Sequence, residues 1–221
     1  MNFLFLRNIP YSYLWIIHQA IGNRTNTLLD VGSGNGAWME AVANGKKWTV
    51  TGVEIYKPSV SVAKKRKIYN KLIIADVTEL PQSLLKQKFD VVFSSQVVEH
   101  LPKTKALKLI KQMESMAKKR VVISTTVGFI HFCPLDHCHE DEDNPYQKHQ
   151  SAWSPEEFRK LGYTTHGQGL ALVYREGRWG FKVPKFVLPI LYIYAFICSP
   201  FVYYFPKLGT YQVAYKNIHE K

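Results

Sequence analysis

The stretch LLDVGSGNGAW, residues Leu28 to Trp38, decides the fold. It predicts a short apolar strand, a D-x-G-x-G-x-G turn and the start of a helix. Gly32, Gly34 and Gly36 allow the backbone to turn tightly and to bring its N–H groups against a ligand, because no Cβ stands in the way. A glycine loop alone also fits a plain strand-to-helix turn or a dinucleotide-binding fold. Asp30 argues against a dinucleotide, because its carboxylate would meet a pyrophosphate, whereas it suits a ligand with a positively charged amino group.

Short apolar runs alternate with longer helical ones from residue 27 onward. Such alternation is typical of a parallel sheet with helices on both faces, built from βαβ units with right-handed crossovers. The sequence therefore predicts an α/β fold with an open, doubly wound sheet. The first five predicted strands are TLLDV, WTVTGVE, KLIIA, FDVVFS and RVVIST. The predicted helices between them are AWMEAVAN, KPSVSVAKKRKIYN and PKTKALKLIKQMESMAKK.

The length of 221 residues predicts a single domain over residues 1–221, which includes an N-terminal helical arm over 1–26. Residues 127–153 are rich in His, Asp, Asn and Pro, and a loop of this length predicts an active-site element. SPEEFRKLG then predicts a helix with Ser154 as its N-cap. Two further strands are predicted over YTTHGQG and TYQVAYK. The apolar segment 184–207 between them is predicted to be a helical insertion.

Two acidic residues follow the next predicted strands. Glu54 closes the second strand, where its carboxylate can accept hydrogen bonds from both hydroxyls of a ribose. Asp76 ends the third strand in IIADV, near the position expected for an adenine amino group. Three polar strand ends in register are a stronger signal than the glycine loop alone, and together they predict a nucleoside-binding edge.

These residues resemble the class I S-adenosylmethionine-dependent methyltransferases, particularly the small-molecule branch that includes the ubiquinone and menaquinone methyltransferases. The resemblance covers roughly Leu28 to Thr125 and includes the fourth-strand stretch FDVVFSSQVVEHL. It implies a seven-stranded, mostly parallel, Rossmann-like sheet whose antiparallel seventh strand lies between the fifth and the sixth. It also implies S-adenosylmethionine as the cofactor.

The resemblance further implies a role for each motif in binding this cofactor. The glycine loop and the aspartate before it would hold the methionine part, and the glutamate after strand two would bind the ribose. The aspartate after strand three and the valine next to it would meet the adenine, and two residues after strand four would line the sulfonium. The implied cofactor-binding residues are Asp30, Gly32, Ser33, Gly34, Gly36, Glu54, Ile55, Asp76, Val77, Ser95 and Gln96.

Histidines are the candidates for a catalytic role. The methyl group of a sulfonium is already activated, so the protein needs chiefly to align the reacting atoms and exclude water. A general base helps when the acceptor is a hydroxyl or a carbon acid, and histidine suits that task near neutral pH. We expect His149 on the acceptor side and His100 close to the donor, with His100 as compatible with a structural role as with a catalytic one. The other loop histidines, His131, His137 and His139, remain candidates.

The same loop raises the question of a metal. Cys133 and Cys138 are five residues apart and have histidines around them. These potential ligands lack a second, distant pair and do not match the usual spacing of a zinc site. The sequence therefore predicts no metal.

Charge and cysteine content bound the setting of the protein. A formal net charge of +12 is compatible with nucleic acid, an anionic membrane surface or an acidic ligand. Three cysteines cannot form a dense disulfide framework, which favours a reducing, cytoplasmic compartment. We expect a cytoplasmic protein that can lie peripherally on the inner face of the membrane.

The apolar segment points to the substrate. Residues 186–205 carry no charge, but Pro189 and Pro200 interrupt the run, and too few turns remain between them to cross a bilayer. A helical insertion over the site suits a hydrophobic small molecule or a lipid- or quinone-like acceptor taken from a membrane surface. A plain cap on the core is the simpler interpretation of the same segment.

Two alternative functions remain open. In the first, the basic groups bind RNA or protein as the methyl acceptor. The absence of a D/N-P-P-Y/F motif, with SSQVVEHL in its place, disfavours nucleic acid without excluding it. In the second alternative, the chain is a non-catalytic binding protein that keeps the fold.

Overall fold

The computed structural model describes residues 8–130 and 144–218, and their strands form one seven-stranded sheet of order β3-β2-β1-β4-β5-β7-β6. Strands β1 to β5 pair in parallel, and β7 pairs antiparallel with both β5 and β6. This topology confirms the predicted doubly wound α/β sheet and the predicted position of the last strand. The strands are β1 (Thr27–Val31), β2 (Thr49–Glu54), β3 (Lys71–Ile74), β4 (Phe89–Ser95), β5 (Ala117–Thr126), β6 (Thr164–Leu170) and β7 (Gly209–Asn217).

Helices cover both faces of this sheet. The described helices are α1 (Tyr13–Ile21), α2 (Ala37–Ala43), α3 (Lys57–Lys65), α4 (Gln82–Leu85), α5 (Lys103–Met116), α6 (Pro155–Lys160), α7 (Ala171–Tyr174), α8 (Trp179–Lys182), α9 (Leu188–Ile197) and α10 (Ser199–Tyr204). Short 3-10 helices lie at Val77–Glu79, Val98–His100, Lys185–Val187 and Pro206–Leu208. The predicted cap of α6 is confirmed, because Ser154 and Glu157 form a reciprocal capping box.

Two apolar clusters hold the layers together. One contains Ile17 of α1 and Val42 of α2, packed on one face of the sheet. The other contains Leu109 and Met113 of α5, packed on the opposite face. Successive side chains of a strand point to opposite faces, so β1 contributes to both clusters. The polar ends of the central strands therefore rise from a rigid, two-sided core.

Three element boundaries differ from the predictions. Helix α5 was predicted to continue to Lys119 but ends at Met116. Lys118 and Lys119 belong to β5, because this strand begins before the apolar run that marked it in the sequence. Strand β3 ends at Ile74, two residues before Asp76. The insertion before β7 begins at residue 171 rather than 184, because two short helices precede the apolar run.

The β6–β7 insertion, residues 171–208, leaves and re-enters the sheet at one point, since Leu170 pairs with Gly209. β6 runs parallel to β1–β5, so the insertion starts at the edge that carries the carboxyl ends of the parallel strands. Its second half packs on β6 at Gly167, where an added Cβ would lie 2.4 Å from the Val202 carbonyl oxygen. Among the described residues, no helix is both long and apolar enough to cross a membrane.

Candidate active site

The glycine loop turns sharply at the end of β1. The backbone N–H groups of Gly32 and Ser33 both donate to the Val53 carbonyl oxygen, each over 2.9 Å, which ties the loop to β2. Gly32, Gly34 and Gly36 have φ values of +75°, +52° and +80°, a region that residues with a Cβ rarely adopt. A Cβ on Gly32 would lie 2.3 Å from the Val97 side chain, whereas a Cβ on Gly34 would meet no atom within 4 Å. The loop is therefore tightly packed against Val97 at Gly32, whereas the space beside Gly34 is open.

Glu54 lies directly beside this open glycine. Its carboxylate is buried and accepts hydrogen bonds from the Gly34 N–H and the Tyr56 N–H, each over 2.8 Å. Each carboxylate oxygen keeps a further lone pair for another donor. The geometry thus offers two fixed acceptors at the carboxyl end of β2, as a pair of ribose hydroxyls requires.

Asp30 is buried at the base of the loop and accepts a hydrogen bond from the Tyr69 hydroxyl over 2.7 Å. Burial, together with the smaller effect of the negative charge of Glu54, raises the pKa of its carboxyl to about 7 even though the Tyr69 hydrogen bond lowers it. Burial and the charge of Asp30 in turn raise the pKa of Tyr69. The described side chains that interact with Asp30 are Tyr69 and Glu54, and neither is a cation that could compensate the charge of the ionised carboxylate.

The residues predicted to meet an adenine lie at the end of β3. Asp76 caps the 3-10 helix Val77–Glu79 by accepting a hydrogen bond from the Thr78 N–H over 2.7 Å. The Val77 side chain is buried in the core, which leaves little of it for a ligand, and Ile55 is half-buried after β2. The backbone around Asp76 is thus well held.

The end of β4 carries a polar network that includes an unexpected partner. The Tyr13 hydroxyl of α1 hydrogen bonds to Ser124 and, over 3.1 Å, to Ser95. Gln96 donates from its side-chain amide to the same hydroxyl over 3.2 Å. Gln96 has a φ of +55°, an uncommon value for a residue with a Cβ, and such strain is frequent at functional sites.

Tyr13 also connects this network to the helix that follows the glycine loop. Its ring lies 5.0 Å from the ring of Trp38, edge to face, and Trp38 is 40% exposed. The sequence predicted only a helical arm over residues 1–26, and neither the Tyr13 hydrogen bonds nor its contact with Trp38 was expected. Aromatic rings attract cations through their π faces, so this pair is suited to border a sulfonium.

The two predicted catalytic histidines come together. The rings of His100 and His149 are 4.7 Å apart, at an angle of 69°. The loop that carries His149 is held against the Val98–His100 turn, because the Gln150 and Ser151 N–H groups both donate to the Glu99 carbonyl oxygen. Burial and, to a smaller extent, the charge of His149 lower the pKa of His100 to about 4. His100 is therefore neutral at physiological pH, and its low pKa makes it a weaker base than an ordinary histidine.

Glu99 adds a carboxylate to this pair. One ligand atom from each of Glu99, His100 and His149 can be chosen so that all three lie within 4.8 Å of one another. A buried carboxylate with two imidazoles suits a divalent transition ion, and sequence analysis did not anticipate this group. The cluster that sequence analysis did weigh, His131, Cys133, His137, Cys138 and His139, lies outside the described residues.

A cavity of about 350 Å³ is lined by Phe129, whose ring also faces His149. It is lined by Phe129, Ile130, Arg175, Glu176 and Gly177, and so joins the loop after β5 to the start of the β6–β7 insertion. The Phe129 ring lies 6.4 Å from the ring of His149, and Arg175 donates to the Phe129 carbonyl oxygen over 3.1 Å. The cavity and the histidine pair are therefore in contact through Phe129.

Comparisons with known proteins agree with this arrangement. Residues 29–123 match the family model described as a methyltransferase domain. No curated protein sequence matches the chain.

Solved structures with the same fold extend over almost the whole chain. The small RNA methyltransferase HEN1 superposes with a TM-score of 0.58 at 16% identity, over 94% of this chain and 25% of HEN1, so this chain spans about a quarter of that protein. A SAM-dependent methyltransferase from Archaeoglobus fulgidus gives a TM-score of 0.55 at 16% identity, over 97% of this chain and 98% of that one. Magnesium protoporphyrin IX methyltransferase from Synechocystis PCC 6803, solved with bound SAH, gives 0.54 at 15% identity, over 97% and 85%.

The family match covers the glycine loop, both acidic strand ends and the end of β4, which are the elements that form the site described above. The sheet order is the one expected for class I methyltransferases. The matched residues 29–123 make up less than half of the chain, so the comparisons show a segment similar to a methyltransferase domain within a chain that has the fold of the solved methyltransferases.

Proposed function

We propose that the protein transfers the methyl group of S-adenosylmethionine to a hydrophobic small molecule, lipid-like or quinone-like in character. The observation that carries this proposal is the position of the cavity beside His149. The cavity opens between Phe129 and the first residues of an insertion that is mostly apolar and exposed. A hydrophobic acceptor can enter along this surface and reach the histidine pair.

Methyl transfer requires the protein chiefly to bind the cofactor and to position the acceptor. The residues at the carboxyl ends of β1, β2 and β3 would fix the nucleoside and the methionine part, and Gln96 would border the sulfonium. The acceptor must then lie in line with the methyl group and the sulfur in a dry site. His149, or in its place His100, would remove a proton from an acceptor hydroxyl, a step that contributes roughly 10²- to 10⁴-fold to the rate.

The alternative acceptors, RNA and protein, depend on the basic groups. Lys118, Lys119 and Arg120 lie at the start of β5, which is the sheet edge opposite the glycine loop. Lys119 is already engaged there, with Asp90 at 3.1 Å and the Arg24 carbonyl oxygen at 2.8 Å. These three residues are therefore poorly placed to guide an acceptor to the methyl group. The similar structures include a small RNA and a porphyrin methyltransferase, so the fold does not choose the acceptor.

The test is to incubate the protein with methyl-labelled S-adenosylmethionine and a total cell extract, and then to follow the label. Label in the organic phase supports the proposed hydrophobic acceptor. Label in acid-precipitable material would overturn it and favour RNA or protein. A Gly34→Ala variant, which should lose the cofactor, provides the background in both fractions.

A further inference from the structure

A line of large apolar side chains runs along the outer side of the β6–β7 insertion. This apolar stripe consists of Phe186, Ile190, Ile193, Ile197 and Phe201, and each of them is between 62% and 80% exposed. Their spacing of three or four residues places them on one helical face. Cys198, which joins α9 to α10, has helical backbone angles of −77° and −6°, so the face continues across the junction. The stripe is roughly 22 Å long at 1.5 Å per residue.

Packing against the described residues 8–130 and 144–218 does not account for the stripe. Among the ten residues of α9, only Ala195 is buried, and α9 contains no charged residue. A helix that faces water normally carries polar side chains on its outer side. An exposed apolar face of this size marks a place where a partner binds.

The charges around the stripe indicate what this partner is. Arg178, Lys182 and Lys185 precede it and are exposed, and no acidic residue occurs anywhere in 177–207. Trp179, 47% exposed, and Tyr204, 65% exposed, lie near its two ends. Apolar residues flanked by cations and by amphipathic aromatic rings are typical of helices at a membrane–water interface.

We propose that the apolar stripe docks flat on an anionic lipid surface, where the flanking cations meet the headgroups. This partner rests on the proposed function, since a hydrophobic acceptor dissolved in the bilayer would then enter beside the stripe. A second copy of the chain is the competing occupant, and it would explain the apolar stripe but would give the flanking cations no anionic partner within 177–207. The helix would lie within the interface and would not span it.

Vesicle co-sedimentation tests the docking without any methyl transfer. The protein is mixed with vesicles of phosphatidylcholine alone, or with one third phosphatidylglycerol, in the absence of cofactor and acceptor. We expect strong binding to the anionic vesicles and a loss of about tenfold or more in the partition coefficient for the double variant Ile190→Ser and Ile193→Ser. The control is Val62→Ser on α3, which removes an exposed apolar residue elsewhere and should bind as the parent does.

A set of charge variants distinguishes electrostatic attraction to anionic lipid from nonspecific hydrophobic adsorption. Lys182→Glu with Lys185→Glu should weaken binding to anionic vesicles several-fold, and added salt should reduce the difference. Lys105→Glu with Lys108→Glu on α5 changes the net charge equally and should weaken binding less. Far-ultraviolet circular dichroism and cofactor affinity confirm that each variant is folded.

Three results would overturn the proposal: equal sedimentation with and without vesicles, stripe variants that bind as the parent does, or a concentration-dependent dimer that the stripe variants abolish. The last result would assign the stripe to a second copy. A protein that methylates a hydrophobic acceptor but ignores vesicles would refute the docking alone, and one that binds vesicles but labels RNA would refute the proposed function alone.

Discussion

The Tyr69 hydroxyl donates a hydrogen bond to the buried Asp30 carboxylate over 2.7 Å, across the strand β2 that separates the two residues in the chain. The hydrogen bond opposes the rise in pKa that burial causes, but the pKa of Asp30 still reaches about 7. The site therefore holds a carboxylate that is poorly solvated without a ligand. A bound cation, such as the ammonium group of the cofactor's methionine part, would compensate for this.

The first prediction concerns stability. The folded-state pKa of Asp30 lies above its ordinary 3.8, so stability is fully present below about pH 4 and is lost as the pH rises towards 7. The rise corresponds to roughly 4 kcal/mol. Asp30→Asn removes the ionisable group and should stabilise the cofactor-free protein at pH 8, with a gain that shrinks as the pH falls towards 4. Urea unfolding at several pH values measures this.

The same variant should bind S-adenosylmethionine at least about tenfold more weakly, because it loses a charge-assisted contact. Stability and binding thus change in opposite directions. A variant that was destabilised at pH 8, or that kept full affinity, would show that Asp30 serves only the packing of the loop.

The second prediction concerns the release of a proton when the cofactor binds. Near pH 6 Asp30 is mostly protonated in the free protein, and a cationic ligand would favour the ionised form, so cofactor binding should release a proton. Calorimetry in two buffers of different ionisation enthalpy measures the number released. Above pH 8 the release should vanish, and affinity should rise with pH up to about 7.

Tyr69→Phe provides the matched variant for the proton release. It removes the hydrogen bond that lowers the Asp30 pKa, so the midpoint of the affinity profile should move to higher pH. A profile unchanged in this variant would assign the released proton to another group.

The Asp30–Tyr69 pair also shows how far the sequence could predict the site. Asp30, Glu54 and Asp76 were predicted because each stands next to a strand end, and a parallel sheet brings such ends to one edge. Tyr69 was missed because its contact bridges 39 positions, and nothing in the local pattern of a polar turn marks it. Tyr13 was missed for the same reason, since Ser95 and Ser124 lie 82 and 111 positions away.

The acceptor side shows the same limit. The sequence pointed to His100 and His149 separately, and only the fold shows that their rings are 4.7 Å apart with Glu99 beside them. The helix breaks in the apolar segment could be predicted from the sequence, because Pro189 and Pro200 lie in the first turns of α9 and α10. The exposure of one face of these helices depends on how α10 packs on β6, which local sequence does not encode.

The third prediction separates backbone strain from cofactor contact. Gly34 and Gly45 have φ values of +52° and +71°, and a Cβ on either would meet no atom within 4 Å. Gly34→Ala and Gly45→Ala should therefore lose similar stability, about 1–2 kcal/mol. Only Gly34 lies in the glycine loop, where its N–H donates to the Glu54 carboxylate, so only Gly34→Ala should lose cofactor binding, as equilibrium dialysis would measure. Equal binding by both variants would contradict the assignment of the loop.

The fourth prediction concerns the histidine pair. His149 is held by a loop that hydrogen bonds to the Glu99 backbone, and we propose that it serves the acceptor, so His149→Ala should fold and bind S-adenosylmethionine as the parent does. Its kcat should fall by about a hundredfold or more, because the acceptor loses its proton acceptor or its ligand. His18→Ala, a histidine on α1, is the control and should keep its kcat. The acceptor for this assay is the unmethylated precursor of the labelled product that is identified in the organic phase.

Chelation then determines which chemistry the pair performs. A proton acceptor works without a cation, so dialysis against EDTA would leave the rate unchanged and His149→Ala would alter the pH–rate profile. A pair that holds an ion with Glu99 would lose activity on dialysis and regain it with Mn²⁺ or Zn²⁺, and Glu99→Gln would then show the same loss. A His149→Ala variant with unchanged kcat would remove both roles, because it would show that the His100–His149 contact only joins the loop to the sheet.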